Sequence, residues 1–303
     1  MIRQTLPGVP PRKAFPTVSS ALLPPLASPP EVHAVLGNPR LRIVDATGYL
    51  DRPPGGGPYT VRSGRAGYEQ EHLPGAGFAD IGGDLSVAGA PRPFTLPEPE
   101  ALAAAFGAIG LGQGTHVVVY ARNSPMWATR LWWLLHYLGH DDVSVLDGGL
   151  PGWKAAGLPV ESGPVRFPAT VLEPRPRHDL LATQSQVQEL SENAGCLVNA
   201  LTPAVFRGEG VTSYSRPGRI PGSVNLPWTE LVDGQTLVWR DPQTRAAALA
   251  PHQDRPVVAY CGGGISATVD VFGWYLAGRD DVRLYDGSLA EWSARPDLPL
   301  QTG

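Results

Sequence analysis

The chain has 303 residues, enough for two domains that each bury a core of their own. Its 24 Lys and Arg against 28 Asp and Glu leave a formal net charge of −4, which argues against a nucleic-acid footprint or a polybasic membrane surface. Two cysteines build no disulfide framework and exclude a four-cysteine or Cys/His zinc site, and no metal-ligand spacing or membrane-length apolar run is present, so a reducing compartment, the cytoplasm, is expected.

Residues 1–20 read as an irregular, proline-rich lead-in. The apolar stretch 14–27 follows Arg12 and Lys13, but Pro16, Pro24 and Pro25 interrupt it and no small-x-small cleavage site follows, so no secretory signal is expected. A first domain is expected over 21–157. Ser28 is placed to cap a short helix opening at Pro29. Strands are expected at 41–46 (LRIVDA), 116–120 (HVVVY) and 143–146 (VSVL), with the glycine- and proline-rich stretch 49–67 as a loop. The turn Leu73-Pro74-Gly75-Ala76 leads into 78–81. Helices are expected at 97–106 and 126–138, the second carrying Trp127, Trp132 and Trp133 as packing residues. Asp147-Gly148-Gly149 turns the chain toward Trp153, both it and a later aspartate being expected to bond their own turns. Prolines 159, 164, 168, 174 and 176 mark a linker over 158–178.

The second domain, 179–303, runs through the same order. LVNA at 197–200 answers IVDA, Ile220-Pro221-Gly222-Ser223 answers the first Pro-Gly turn, and VVAY at 257–260 answers VVVY. Asp286-Gly287-Ser288 and Trp292 answer Asp147-Gly148-Gly149 and Trp153, each 139 residues on. One α/β unit has been duplicated, with strands alternating with helices and hence a mostly parallel sheet flanked by helices in each half.

The halves differ where VVAY ends. Cys261 follows the strand, then Gly262, Gly263 and Gly264, then Ile265, Ser266 and Ala267 opening an apolar helix. Such a loop turns successive amides inward, and these with the helix N-terminus favour a thiolate. Ala121 stands at the matching place in the first half, followed by Arg122-Asn123-Ser124-Pro125, so the nucleophile and the glycine loop are both confined to the second copy. Cys196 has no such loop and reads as an inert thiol.

These marks together, GRIPGSVNLPW at 218–228, YCGGGISAT at 260–268, EHLPGA at 71–76 and the paired DGG and DGS turns, resemble the tandem-domain rhodanese-type sulfurtransferases, the thiosulfate and 3-mercaptopyruvate sulfurtransferase family. The resemblance implies two rhodanese-like domains, the first catalytically silent. It also implies a persulfide carried on Cys261 in the cradle of residues 262–267, an anionic sulfur donor, a thiol or cyanide acceptor, and no cofactor. The uncharged Cys-Gly-Gly-Gly loop is of the kind associated with 3-mercaptopyruvate rather than thiosulfate. Two arginines usual in that family are missing, since Leu201 and Val205 stand in their places, and Ser63 stands near an expected acidic residue. Arg207, Arg216, Arg219 and His72 are therefore the candidates for holding the donor's anion. A cysteine phosphatase would need an arginine six residues after the cysteine, where Ala267 stands. A non-catalytic persulfide sensor or sulfur carrier is the alternative reading.

Overall fold

The computed structural model describes residues 21–193, 196–252 and 255–303; the expected lead-in at 1–20 lies outside them. The first half contains β1 (Leu26–Ala27), α1 (Pro29–Ala34), β2 (Leu41–Asp45), β3 (Gly48–Asp51), β4 (Thr60–Ser63), α2 (Arg65–Gln70), β5 (Gly77–Phe78), α3 (Pro99–Ala108), β6 (His116–Tyr120), α4 (Pro125–Tyr137), β7 (Val143–Leu146) and α5 (Gly149–Ala155). The second contains α6 (Gln184–Glu192), β8 (Cys196–Asn199), α7 (Pro203–Phe206), β9 (Val224–Asn225), α8 (Pro242–Leu249), β10 (Val257–Tyr260), α9 (Ala267–Leu276), β11 (Arg283–Leu284) and α10 (Ser288–Trp292).

The central strands β6 and β10 are buried at every residue, as strands covered by helices on both faces must be. They organise two parallel sheets, β1-β7-β6-β2-β5 and β11-β10-β8-β9. The second sheet has no counterpart strand to β1, but Leu181 bridges Leu284 in parallel at the same edge. The duplication reaches individual hydrogen bonds. The hydroxyls of Tyr120 and Tyr260 accept from Leu73 N and Ile220 N, and the indoles of Trp153 and Trp292 donate to Pro159 O and Pro299 O.

The stretch expected to be a loop over 49–67 is in part ordered. β3 and β4 form an antiparallel ribbon, with Arg62 ion-paired to Asp51 and stacked over Tyr49 at 4.2 Å. These cross-strand contacts hold the ribbon, while Pro53, Pro54, Gly55, Gly56, Gly57 and Pro58 form its tip. Ser28 and Glu31 complete a capping box on α1, as the sequence suggested. Residues of the linker bond to Gly107, Gln113, Leu138 and Tyr137, so it lies along the first domain.

The two halves meet through α4 and α9, whose apolar faces pack Trp132 edge-on against Phe272 at 4.7 Å. Near the middle, Thr129 Oγ1 lies 2.8 Å from Thr268 Oγ1, and Thr268 donates to Ile265 O at 2.7 Å. These threonines occupy matching positions 139 residues apart, so the junction follows a local two-fold relation. A double-mutant cycle with Thr129→Val and Thr268→Val, read by urea unfolding, should give a coupling of about 1 kcal/mol, the usual worth of one buried hydrogen bond.

Candidate active site

β10 delivers Cys261 to the top of the second sheet, where the thiol is 1 % exposed. The loop after it is pinned by one side chain. Ser288 Oγ accepts from Cys261 N at 3.0 Å and from Gly264 N at 3.2 Å, and donates to Tyr285 O at 2.8 Å. Gly264 has φ of +76°, and a Cβ there would come to 2.6 Å of Asp286 O, so glycine is required on two counts. Among the described residues, the amides of Gly262, Gly263, Ile265 and Ser266 have no acceptor. Ala267 begins α9, a helix of ten residues whose positive end thus lies at the end of this loop. Buried thiol, unengaged amides and helix terminus together suit a group that alternates between thiolate and persulfide anion.

The matching place in the first domain is closed. Gly149 corresponds to Ser288 and shares its left-handed backbone, φ being +52° and +50°. A Cβ on Gly149 would collide with Ala121 O, whereas Ser288 carries its side chain to the Cys261 and Gly264 amides instead.

The first domain supplies the second support of the loop. Arg130 of α4 is 1 % exposed; its Nη1 donates to Gly264 O at 3.1 Å and to Asp286 Oδ1 at 2.6 Å, and its Nη2 to Phe94 O at 3.2 Å. Asp286 therefore ion-pairs across the domain junction rather than bonding its own turn. Asp147 reaches across as well, accepting from Trp239 N at 2.9 Å, and it also accepts from the Gly148 amide of its own turn, as expected. Asp270, on the first turns of α9, is fully buried with no hydrogen-bond partner for either carboxyl oxygen among the described residues. Burial, reinforced by charge on Cys261, holds that carboxyl well above the usual range.

Comparison with known proteins agrees with this geometry. The family described as rhodanese-like domain matches twice, at residues 28–156 and 183–295. This chain belongs to the rhodanese-like sulfurtransferases. It is 35% identical to the 3-mercaptopyruvate sulfurtransferase of Escherichia coli K12 over 240 residues, covering 77% of this chain and 84% of that one. It is 34% identical to the human 3-mercaptopyruvate sulfurtransferase over 281 residues, covering 87% and 89%. The crystal structure of SseA from Escherichia coli, a 3-mercaptopyruvate sulfotransferase, matches with a TM-score of 0.73 at 29% identity, covering 87% of this chain and 98% of that one. Tum1 from Saccharomyces cerevisiae shares the fold, with a TM-score of 0.77 at 23% identity over 91% of this chain and 97% of that one. The enzyme is thus a sulfurtransferase with two rhodanese domains.

In this sulfurtransferase the four candidates for the donor's anion have other engagements. Arg207 is exposed and ion-paired to Glu209. Arg216 donates to the carbonyls of Ser293, Arg295 and Leu298, fastening the C-terminal segment. Arg219 bonds Phe206 O and Gly303 O and lies over the Phe206 ring. His72 is buried, stacked on Tyr68, with its ring nitrogens 2.8 Å from Leu73 O and Gly163 O, so it anchors the linker. Each was chosen for its charge or its neighbourhood in sequence, and each charge or ring is used to hold backbone or a neighbouring side chain.

What lies over the loop is instead a pair of phenols. A Cβ on Gly263 would come to 2.8 Å of the Tyr59 hydroxyl, and one on Gly262 would collide with that of Tyr214. Neither tyrosine has a period or motif to announce it, since both sit in loops rich in glycine, proline and serine. Arg130 and Asp270 do carry a signal, each being a lone charge inside an apolar helix. Arg130→Met should lower stability by about 3–5 kcal/mol in urea unfolding, because it strands the Asp286 carboxylate and the Gly264 carbonyl at a buried junction. A change below about 1 kcal/mol would show that the pair does not hold the halves together.

Proposed function

We propose that this sulfurtransferase carries sulfur as a persulfide on Cys261, with 3-mercaptopyruvate as donor and a thiol or cyanide as acceptor. The observation that carries the reading is the buried Cys261 followed by loop amides that have no acceptor among the described residues. A thiolate there attacks the sulfur of the donor. An S–S bond forms as the C–S bond breaks, and the electron pair leaves with the carbon as the enolate of pyruvate, which takes a proton. The acceptor nucleophile then attacks the outer sulfur and releases the Cys261 thiolate, so the kinetics are of the two-step, ping-pong kind. Negative charge rests on sulfur at both stages, and preorganised amides around it lower both barriers.

The donor assignment follows from charge. The loop from Cys261 to Ala267 contains no cation to neutralise a dianion such as thiosulfate. The relatives named 3-mercaptopyruvate sulfurtransferase support the same choice. A free thiol is needed in every cycle, which fits a reducing compartment such as the cytoplasm.

Cys261→Ser should abolish turnover while leaving the melting curve unchanged, because a hydroxyl is a far weaker nucleophile near neutral pH. Mass spectrometry after exposure to each donor should show one added sulfur atom on the peptide bearing Cys261, with 3-mercaptopyruvate the more effective. Persulfidation without turnover to any acceptor would favour the sensor or carrier reading, and no persulfide at all would remove Cys261 from the mechanism.

A further inference from the structure

The anion of the donor needs a binding partner, and the usual means, a free cation beside the thiolate, is missing from the cradle loop itself. Two interlocked loops cover that loop instead. One is the tip of the β3–β4 ribbon, contributed by the first domain, and the other is the segment 208–218 of the second. Gly57 N donates to Thr212 O at 3.1 Å, and a Cβ on Gly56 would collide with Val211, so the loops are in close contact. Each ends in a half-buried tyrosine with its hydroxyl over the glycines after Cys261. Neither hydroxyl has a hydrogen-bond partner among the described residues, although each is crowded against the loop.

We propose, building on the sulfurtransferase reading above, that the phenol hydroxyls of Tyr59 and Tyr214 together receive the carboxylate of an α-keto acid sulfur donor, with Arg52 at the rim of the site drawing the anion in. Two neutral O–H donors over the thiolate satisfy a carboxylate without the fixed positive charge that would also hold the product. Burial, with charge on Cys261 as a second cause, pushes the Tyr59 phenol up to about 12, and raises that of Tyr214 as well. Both therefore keep their protons wherever the thiolate is active and remain donors throughout the cycle. Arg52 is exposed on the same tip as Tyr59, and its charge acts on both phenols. Through Tyr59 and Arg52 the silent domain contributes directly to substrate selection.

The test uses the full-length enzyme and the variants Tyr59→Phe, Tyr214→Phe, the double variant and Arg52→Gln. Phenylalanine keeps the ring and its packing while removing the donor. Each single phenylalanine variant should raise KM for 3-mercaptopyruvate about tenfold, with a smaller change in kcat, and the double variant more than either. Arg52→Gln should raise KM severalfold at low salt and have little effect at high salt. The ratio of Cys261 alkylation by iodoacetate to that by iodoacetamide supplies a readout that does not depend on sulfur transfer. It should fall about tenfold in each phenylalanine variant and reach that of free cysteine in the double one. A wild-type enzyme that shows this preference but transfers no sulfur would sink the proposed donor and leave the anion contact standing. An unchanged ratio and unchanged KM in the double variant would overturn the contact itself.

Discussion

The site depends on one buried ion pair that crosses between the domains. Arg130 belongs to the half that lacks Cys261 and its glycine loop, yet its guanidinium holds both Asp286 and the carbonyl of Gly264 in the half that has them. Desolvating two charges is costly, and the short contact to Asp286 with the bond from Nη2 to Phe94 O offsets part of that cost, while Nε stays buried with no partner among the described residues. The guanidinium also lies over Trp133, at 5.2 Å from the ring. Glycines oppose order by their own entropy, so the loop relies on Ser288 from its own domain and on Arg130 from the neighbouring one.

The first domain thus contributes contacts to the second as well as packing. α4 meets α9 at matching threonines, Asp147 reaches across to Trp239 as Asp286 reaches across to Arg130, and the β3–β4 ribbon leans over the second domain's loop. The exchange is unequal. One direction passes an ionic contact to the cradle, and the other passes a backbone hydrogen bond to a residue of the second core. The duplicated fold keeps its symmetry in the sheets and the Pro-Gly turns, and departs from it at Cys261 and its glycine loop.

Much of this was legible in the sequence, for reasons that can be stated. Parallel strands buried on both faces must be apolar throughout, so HVVVY and VVAY announced β6 and β10. The paired turns and tryptophans exposed the duplication, and the change from Ala121 to Cys261 with its glycines marked the candidate site. The two tyrosines proposed to receive the donor's anion were not legible. Sequence neighbourhood favoured Arg207, Arg216 and Arg219, but an arginine near a site in sequence is free to fasten whatever backbone it reaches in space, as Arg216 and Arg219 do. The tyrosines over the loop come from irregular segments whose course is set by tertiary contacts between them, and no periodicity encodes that. The role of Ser288 was hidden for a related reason: a serine in a turn normally bonds its own turn.

Ser288 bears on how the two copies could ever have parted. Both copies keep the left-handed backbone at this position, but in the first the Ala121 carbonyl presses against the bare Gly149 where a side chain would start. A cysteine arriving at position 121 would therefore find no pin beneath it and no room to install one without first moving main chain. The difference between the lobes is thus written in main chain as well as in side chains, and installing a serine at position 149 by a single replacement is blocked sterically.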